Sequence, residues 1–438
     1  MARRAARSFP ARSNVLRAFR HRNYQLFFSG QLISLTGTWM QSVAESWLVF
    51  RLTGSSALLG VSAFASQIGV LLFATIGGAV ADRYDRRRIL IATQSVSMVL
   101  PFILAVLTLS HRVRVWQVFV LAACLGIVNA FDIPARQAFI VDMVGREDLV
   151  SAIALNSSMV NGARVVGPSV AGLLVAAVGE GWCFLINAIS YTAVIAGLIL
   201  MRVDRRPVTR ARHSAWRDVV EGFTFVGRTA PVRALLLLLG AVSFAGMPYV
   251  VLMPVFARSI LHGGARELGL LMGASGLGAL IGALTLATRG SVRGLGRWVM
   301  VAAASFGVTL VLFSLSRTLW LSALLLVPVG GSMMVQMAAS NTLIQSMVPD
   351  ALRGRVMAVY SMMFMGMAPF GALWAGAVAE RIGAPATVVI GGVVCLVAAA
   401  VFGLRLPALR GEARELIIAQ GLAGGVPPAA VTGQPTVD

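Results

Sequence analysis

The sequence predicts an all-α membrane protein of twelve transmembrane helices in two pseudo-symmetric six-helix bundles. Three observations carry that expectation. Of 438 residues, 58% are hydrophobic and only 12% are charged, whereas a soluble domain carries about 25% charge. A chain so poor in charge cannot cover a water-facing surface, while lipid tails make no such demand. Apolar runs long enough for a helix to cross the ~30 Å hydrocarbon core, about 20 residues each, recur along the chain. A long polar break, 202–231, divides those runs six and six.

The runs are 25–50, 57–81, 88–110, 115–138, 151–176, 182–201, 232–258, 267–288, 297–316, 318–346, 355–379 and 384–404. They are continuous and do not alternate in ten-residue strands, which excludes a barrel. The first 22 residues look like the basic n-region of a signal peptide, but the run after them is too long for a signal core and lacks a small-residue cleavage site. It is therefore retained as the first helix. The expected domains are 1–201, an N-terminal bundle with a basic cytoplasmic start; 202–231, a cytoplasmic linker with a basic amphipathic stretch ending near Arg228; 232–404, a C-terminal bundle; and 405–438, a largely disordered cytoplasmic tail rich in Gly, Pro and Ala. A weak repeat at an offset of about 200 residues supports two halves: Ile140–Val144, Ala154 and Pro168–Gly172 reappear as Ile344–Val348, Ala358 and Pro369–Ala372.

The net charge of +20 comes from 37 basic residues, all arginine. They lie in short segments between the apolar runs and are not gathered on one soluble face, so nucleic-acid binding is excluded. With the N-terminus in the cytoplasm, 29 arginines fall on the cytoplasmic side and 7 outside, and Arg164 alone remains within a span. Basic residues near span ends are retained in the cytoplasm, so both termini are expected there. Cys124, Cys183 and Cys395 stand inside apolar runs with no metal or disulfide spacing. His21, His111, His213 and His262 fall in predicted loops or the N-terminal segment. No metal and no cofactor is expected.

Between spans 2 and 3 stands Gly78-Ala-Val-Ala-Asp82-Arg83-Tyr-Asp85-Arg86-Arg87-Arg88. Gly78 would allow close helix approach, and Asp82 could cap a helix end or pair with a neighbouring arginine. The order resembles the loop signature of the major facilitator superfamily, with Asp85 where the family has glycine. In span 5, Gly162-Ala-Arg-Val-Val-Gly167-Pro168-Ser-Val-Ala-Gly172 resembles the glycine–proline motif of that superfamily's antiporters. Small residues there let backbones touch, and proline bends a helix. Phe19–Tyr24, Gly37–Gln41, Leu52–Ser55, Phe131–Gln137 and Cys183–Asn187 resemble the bacterial branch that contains the enterobactin exporter. The resemblance covers most of the first half. It implies a proton-driven exporter of siderophores, drugs or metabolites in the bacterial inner membrane, with spans 1, 4, 7 and 10 lining a cavity. Span 4 lacks the arginine that many antiporters carry there.

An ionisable side chain within a span costs roughly 2.5–3.5 kcal/mol on insertion scales and marks function by default. Glu45, Asp132 and Arg164 are the three, all in the first half, and form the candidate proton-coupling network. Glu45 and Arg164 are expected to pair in the outer half of the first bundle, because both climb past mid-membrane at ~1.5 Å per residue. Asp132, four residues before Arg136, reads as a local clip. Gln41, Asn341 and Gln345 are the candidate polar groups of the cavity. Nine of 19 methionines fall between Met333 and Met367, where flexible thioethers fill gaps or adapt to cargo. The expected partners are a small-molecule substrate, protons and membrane lipid, with the chain a monomer. An uptake permease of the same fold is the alternative. An integral-membrane enzyme would need clustered histidines or acids near an interface, and a passive complex subunit would have an extended soluble domain.

Overall fold

In the computed structural model the described residues are 16–145, 147–202, 215–289 and 294–420. His213 and the remainder of the linker and tail lie outside them. The described chain is helical throughout its regular elements. The first half comprises α1 (Arg22–Thr53), α2 (Ser56–Arg83), α3 (Arg86–Leu109), α4 (Val115–Val144), α5 (Leu149–Val178) and α6 (Glu180–Leu200). An amphipathic helix, α7 (Ala215–Arg228), precedes the second half. There follow α8 (Ala230–Ile260), α9 (Ala265–Ala287), α10 (Leu295–Leu315), α11 (Leu319–Met347), α12 (Asp350–Ile382) and α13 (Ala384–Ala419). Among the described residues, eleven helices meet the length and hydropathy needed to cross a bilayer. The twelfth, α1, is as long but more polar, because Gln31, Ser34 and Gln41 turn into the bundle and are buried.

The chain expected to form a tail from 405 is helical to Ala419, with Pro407 inside the helix. Leu406 is buried there, against the start of α10. Proline at this point lacks one donor but does not end a helix whose next turns are already packed or solvated.

The two halves repeat one packing scheme. In the first, α2 lies on α4, α1 on α6, and α3 on both α4 and α6; in the second, α9 lies on α11, α8 on α13, and α10 on both α11 and α13. Lipid offers no hydrophobic drive between helices, so contact depends on close backbone approach at small residues. Gly278 of α9 and Gly330 of α11 are the tightest case. A Cβ on Gly278 would lie 1.8 Å from the Val327 carbonyl oxygen, and one on Gly330 would lie 1.9 Å from that of Ser275.

Two helices of the second half are not regular. α8 contains π turns at Val242–Gly246 and Phe256–Ile260, and α12 contains one at Met362–Gly366. Pro248, Pro254 and Pro369 stand beside them, and each removes a donor that the local backbone then works around. The Ser243 hydroxyl donates to the Phe364 carbonyl at 2.5 Å, which ties the two irregular stretches together. At the termini end, Glu221 of α7 pairs with Arg355 of α12.

Gly278→Ala should lower the thermal midpoint of the purified protein by several degrees, since overpacking costs about 1–3 kcal/mol. Gly162→Ala, where a Cβ meets nothing within 4 Å, should leave it unchanged or slightly higher. Unfolding followed by intrinsic fluorescence in detergent distinguishes the two.

Candidate functional site

The halves meet along two seams. α5 packs on α9, and α2 packs on α12. A Cβ on Gly269 would lie 2.7 Å from the Cα of Gly172, and one on Gly376 would lie 3.0 Å from the Cα of Gly60. The seams are equivalent under the repeat, since α2 corresponds to α9 and α5 to α12. Both lie in the half of the bundle away from the chain termini. Among the described residues, the hydrogen bonds that join the halves are also there: the Ser55 hydroxyl and the Ala57 amide each donate to the Glu380 carboxylate at 3.1 Å.

Toward the termini the same faces part. On α5, the stripe that touches α9 at Val165, Ser169 and Gly172 continues as Gly162, Asn161 and Ser158. Ser158 is exposed, and Gly162 has open space at its Cβ position. On α2, the stripe that meets α12 at Gly60, Phe64 and Leu71 continues as Thr75, which is exposed, and Gly78, which has no neighbour. By these contacts the halves are joined toward the far face and part toward the termini face.

Arg164 stands where the seam gives way to the opening. Its guanidinium lies over the Trp39 ring of α1, 5.6 Å from the centroid. Tyr249 of α8 is within electrostatic reach, and its hydroxyl is 2.7 Å from that of Ser275 of α9. Both halves therefore contribute to its surroundings.

The expected Glu45–Arg164 pair does not form. The Glu45 carboxylate faces α2 and accepts from the Ser62 hydroxyl at 3.4 Å, and Gln41 bonds to it from one turn earlier on α1. Helix rise put the two groups at compatible heights, but their side chains leave for different neighbours. Asp132 joins neither. One of its oxygens accepts from Thr93 and Gln94 at 2.9 and 2.7 Å, and the other pairs with Arg136 at 2.9 Å. It is the local clip that its spacing from Arg136 implied, and both oxygens are engaged.

Gln41 is not a cavity residue. It is buried and accepts from the Asn187 amide of α6 at 2.5 Å. A Cβ on Gly37 would lie 2.5 Å from Asn187 Oδ1, so the Gly37–Gln41 and Cys183–Asn187 motifs are two sides of one α1–α6 knot. Tyr191 extends it, 3.4 Å from the Thr38 hydroxyl. Asn341 and Gln345 of α11 bond each other at 2.5 Å, and Gln345 is exposed. Met362 and Met365 are exposed, whereas Met333 and Met347 are buried filler.

The loop between α2 and α3 departs from expectation in three ways. Gly78 makes no close approach; Gly77 does, where a Cβ would lie 2.0 Å from the Ala130 carbonyl oxygen. Asp82 and Arg83 are exposed, and Asp82 has no partner among the described residues. The clip is instead Arg86 with Asp142 of α4, at 2.9 Å, while Arg87 donates to the Leu198 and Ile199 carbonyls at the end of α6. Asp85, the departure from the family pattern, caps α3 by accepting from the amides of Arg87 and Arg88. In the glycine–proline motif, Gly167 lies against α1 and Gly172 against α9, and Pro168 is buried between them; Gly162 faces the opening.

The N-terminal Phe19–Tyr24 motif is an anchor. His21 meets Asp148 at 2.8 Å, Asn23 bonds the backbone of Arg202, and the Tyr24 hydroxyl donates to the Ala152 carbonyl. Sequence reading missed Glu180, which takes Arg51 through two bonds of 2.7 and 3.2 Å at the far face. It also missed Trp39 and Tyr249 as neighbours of Arg164. Nothing in one-dimensional spacing joins α1, α5, α8 and α9, although Trp39 did lie in a quoted motif.

Asp142→Asn should cost about 1–2 kcal/mol, since it leaves the half-buried Arg86 without its charge partner. Asp82→Asn should leave the thermal midpoint at the wild-type value. Equal losses would mean that Asp82 carries a stabilising contact of its own.

The chain matches the family model described as transmembrane secretion effector over residues 13–423. It is 27% identical to the staphyloferrin A transporter of Staphylococcus aureus, across 84% of this chain and 92% of that one. It is 27% identical to the multidrug efflux pump Tap of Mycolicibacterium fortuitum (83% and 90% covered). With the enterobactin exporter EntS of Citrobacter koseri it shares 24% identity over 90% of this chain and 93% of that one. Among solved structures, it superposes on a mutant of the nucleoside transporter NupG with a TM-score of 0.69 at 13% identity, covering 87% of this chain and 99% of that one. On a bacterial homologue of the lysosomal transporter Spinster, in an inward-facing conformation, the TM-score is 0.67 at 14% identity, with 92% and 99% covered. These low identities carry the fold alone. The family match and the curated relatives carry the rest: this chain is a multi-pass transporter, not an enzyme, and belongs to the transmembrane secretion effector family of the major facilitator superfamily.

Proposed function

We propose that the protein is a secondary active exporter, carrying a siderophore, drug or metabolite out of the cytoplasm across the bacterial inner membrane by alternating access and proton antiport. The observation that carries this reading is the opening between the halves, closed at one face by two equivalent seams and ending at Arg164. Rocking about such seams would expose the same residues to either side in turn. The arginine bias supports a cytoplasmic termini face, so the opening faces the compartment from which an exporter loads. The exporters and efflux pump among the relatives support the direction.

Glu45 is the acid we assign to the proton. It sits within α1 with neutral partners, Gln41 and Ser62, and no cation pairs with it among the described residues. Asp132 is committed to Arg136 and serves the fold. Asp82, free on the open face, is available to latch the opposite state, so Asp82→Asn should slow transport while the protein stays folded.

Cells that produce the protein should hold less of its cargo than cells without it, and collapse of the proton gradient should erase the difference. Glu45→Gln should abolish proton movement in proteoliposomes under an imposed pH gradient. Higher accumulation in producing cells would make the protein an uptake permease. A difference that survives the collapse would remove the proton coupling alone.

A further inference from the structure

We infer that Arg164, beside the Trp39 ring, is the binding site for a planar oxyanion on the cargo, so that the transported compound carries a carboxylate-type group beside an apolar or aromatic body. The inference rests on the transporter reading and names the chemistry of its substrate.

The argument begins with charge. An arginine within a span demands a counter-charge or a wet cavity. Among the described residues no carboxylate pairs with Arg164: Glu45 faces Ser62, and Asp132 is occupied by Arg136. The groups near it are neutral: Trp39 on one face, and Tyr249 of the other half within electrostatic reach. A guanidinium held this way keeps its fork of donors unused, and that fork matches a carboxylate through two parallel bonds.

Position agrees with charge. Arg164 lies at the closed end of the opening, one turn beyond Asn161, where the last backbone contact of α5 with Gly276 of α9 is made. A ligand entering from the termini face reaches it along Ser158 and Asn161. Its neighbours come from both halves, Trp39 from the first and Tyr249 and Gly276 from the second, so charge placed there is felt at the junction that must move. One cation balances a single negative charge; a doubly charged phosphate would leave one charge uncompensated. The Trp39 ring beside the guanidinium supplies an aromatic wall for an apolar body.

Three probes of one shape test the inference: 2-naphthoate, the neutral 2-naphthamide and the cationic 2-naphthylmethylammonium, titrated calorimetrically against the purified protein in lipid nanodiscs. The carboxylate should bind at least about tenfold more tightly than the amide, and the ammonium most weakly, as expected for a charge-assisted bidentate contact. Arg164→Gln should bring carboxylate and amide within about twofold of each other. Arg164→Lys should keep a reduced preference for the anion, which separates charge from fold. An amide or ammonium that binds as tightly as the carboxylate overturns the site, as does absence of binding by all three. So does a preference that survives Arg164→Gln in protein with the wild-type thermal midpoint. If the preference follows Arg164 but cells show no export, the direction of transport fails and the anion site stands; export of a cationic or neutral cargo gives the reverse.

Discussion

Close backbone contact between the two halves is the constraint on which the rest of the structure depends. Within lipid, helices gain little from hiding apolar side chains, so association rests on packing at small residues. Both seams use this device at equivalent register, Gly60 against Gly376 and Gly172 against Gly269. Because the contacts are confined to the half away from the termini, the other half is free to part. The position of the opening, and of Arg164 at its end, follows from where those glycines fall along α2, α5, α9 and α12.

The three intramembrane charges are accommodated in three ways. Asp132 is neutralised by Arg136 and saturated by Thr93 and Gln94, a complete arrangement that leaves it nothing to bind. Glu45 is held by amide and hydroxyl groups of its own bundle. Arg164 rests against an aromatic face at the junction of the halves. A direct Glu45–Arg164 pair would have cancelled the two charges and tied α1 to α5 permanently, since breaking a buried pair by removing one member costs about 3–5 kcal/mol. Their separation leaves an acid and a cation without each other, at different levels of α1. In the proposed cycle, that is what lets a proton and an anionic cargo each find a partner.

Several short motifs turn out to be structural joints. Phe19–Tyr24 fastens the start of α1 to α5 and α6, Phe131–Gln137 contains the Asp132–Arg136 clip, and the α2–α3 loop is bound through Arg86 and Arg87 to α4 and α6. The loop also shows how a motif read along the chain misassigns its members. Gly77, not Gly78, faces α4, because a one-residue step turns a helix by about 100°. Asp85, a departure from the family pattern, has the capping role first given to Asp82. Buried knots such as Gln41–Asn187 join residues 146 positions apart, and only helix packing brings them together.

The sequence by itself determined the helical membrane fold and the family. Those properties depend on local hydropathy and on residues adjacent in the chain, which a bilayer reads segment by segment. It also identified the charged residues that a membrane does not tolerate without purpose. The partners of those residues were decided only by the tertiary structure. Helix rise gives height along the membrane, but rotation about each axis is set by contacts with other helices, and that rotation sends Glu45 to Ser62 and Arg164 to Trp39 and Tyr249. The same is true of the opening: it exists because two seams packed at one end and not at the other, a property of pairs of helices and of neither sequence segment alone.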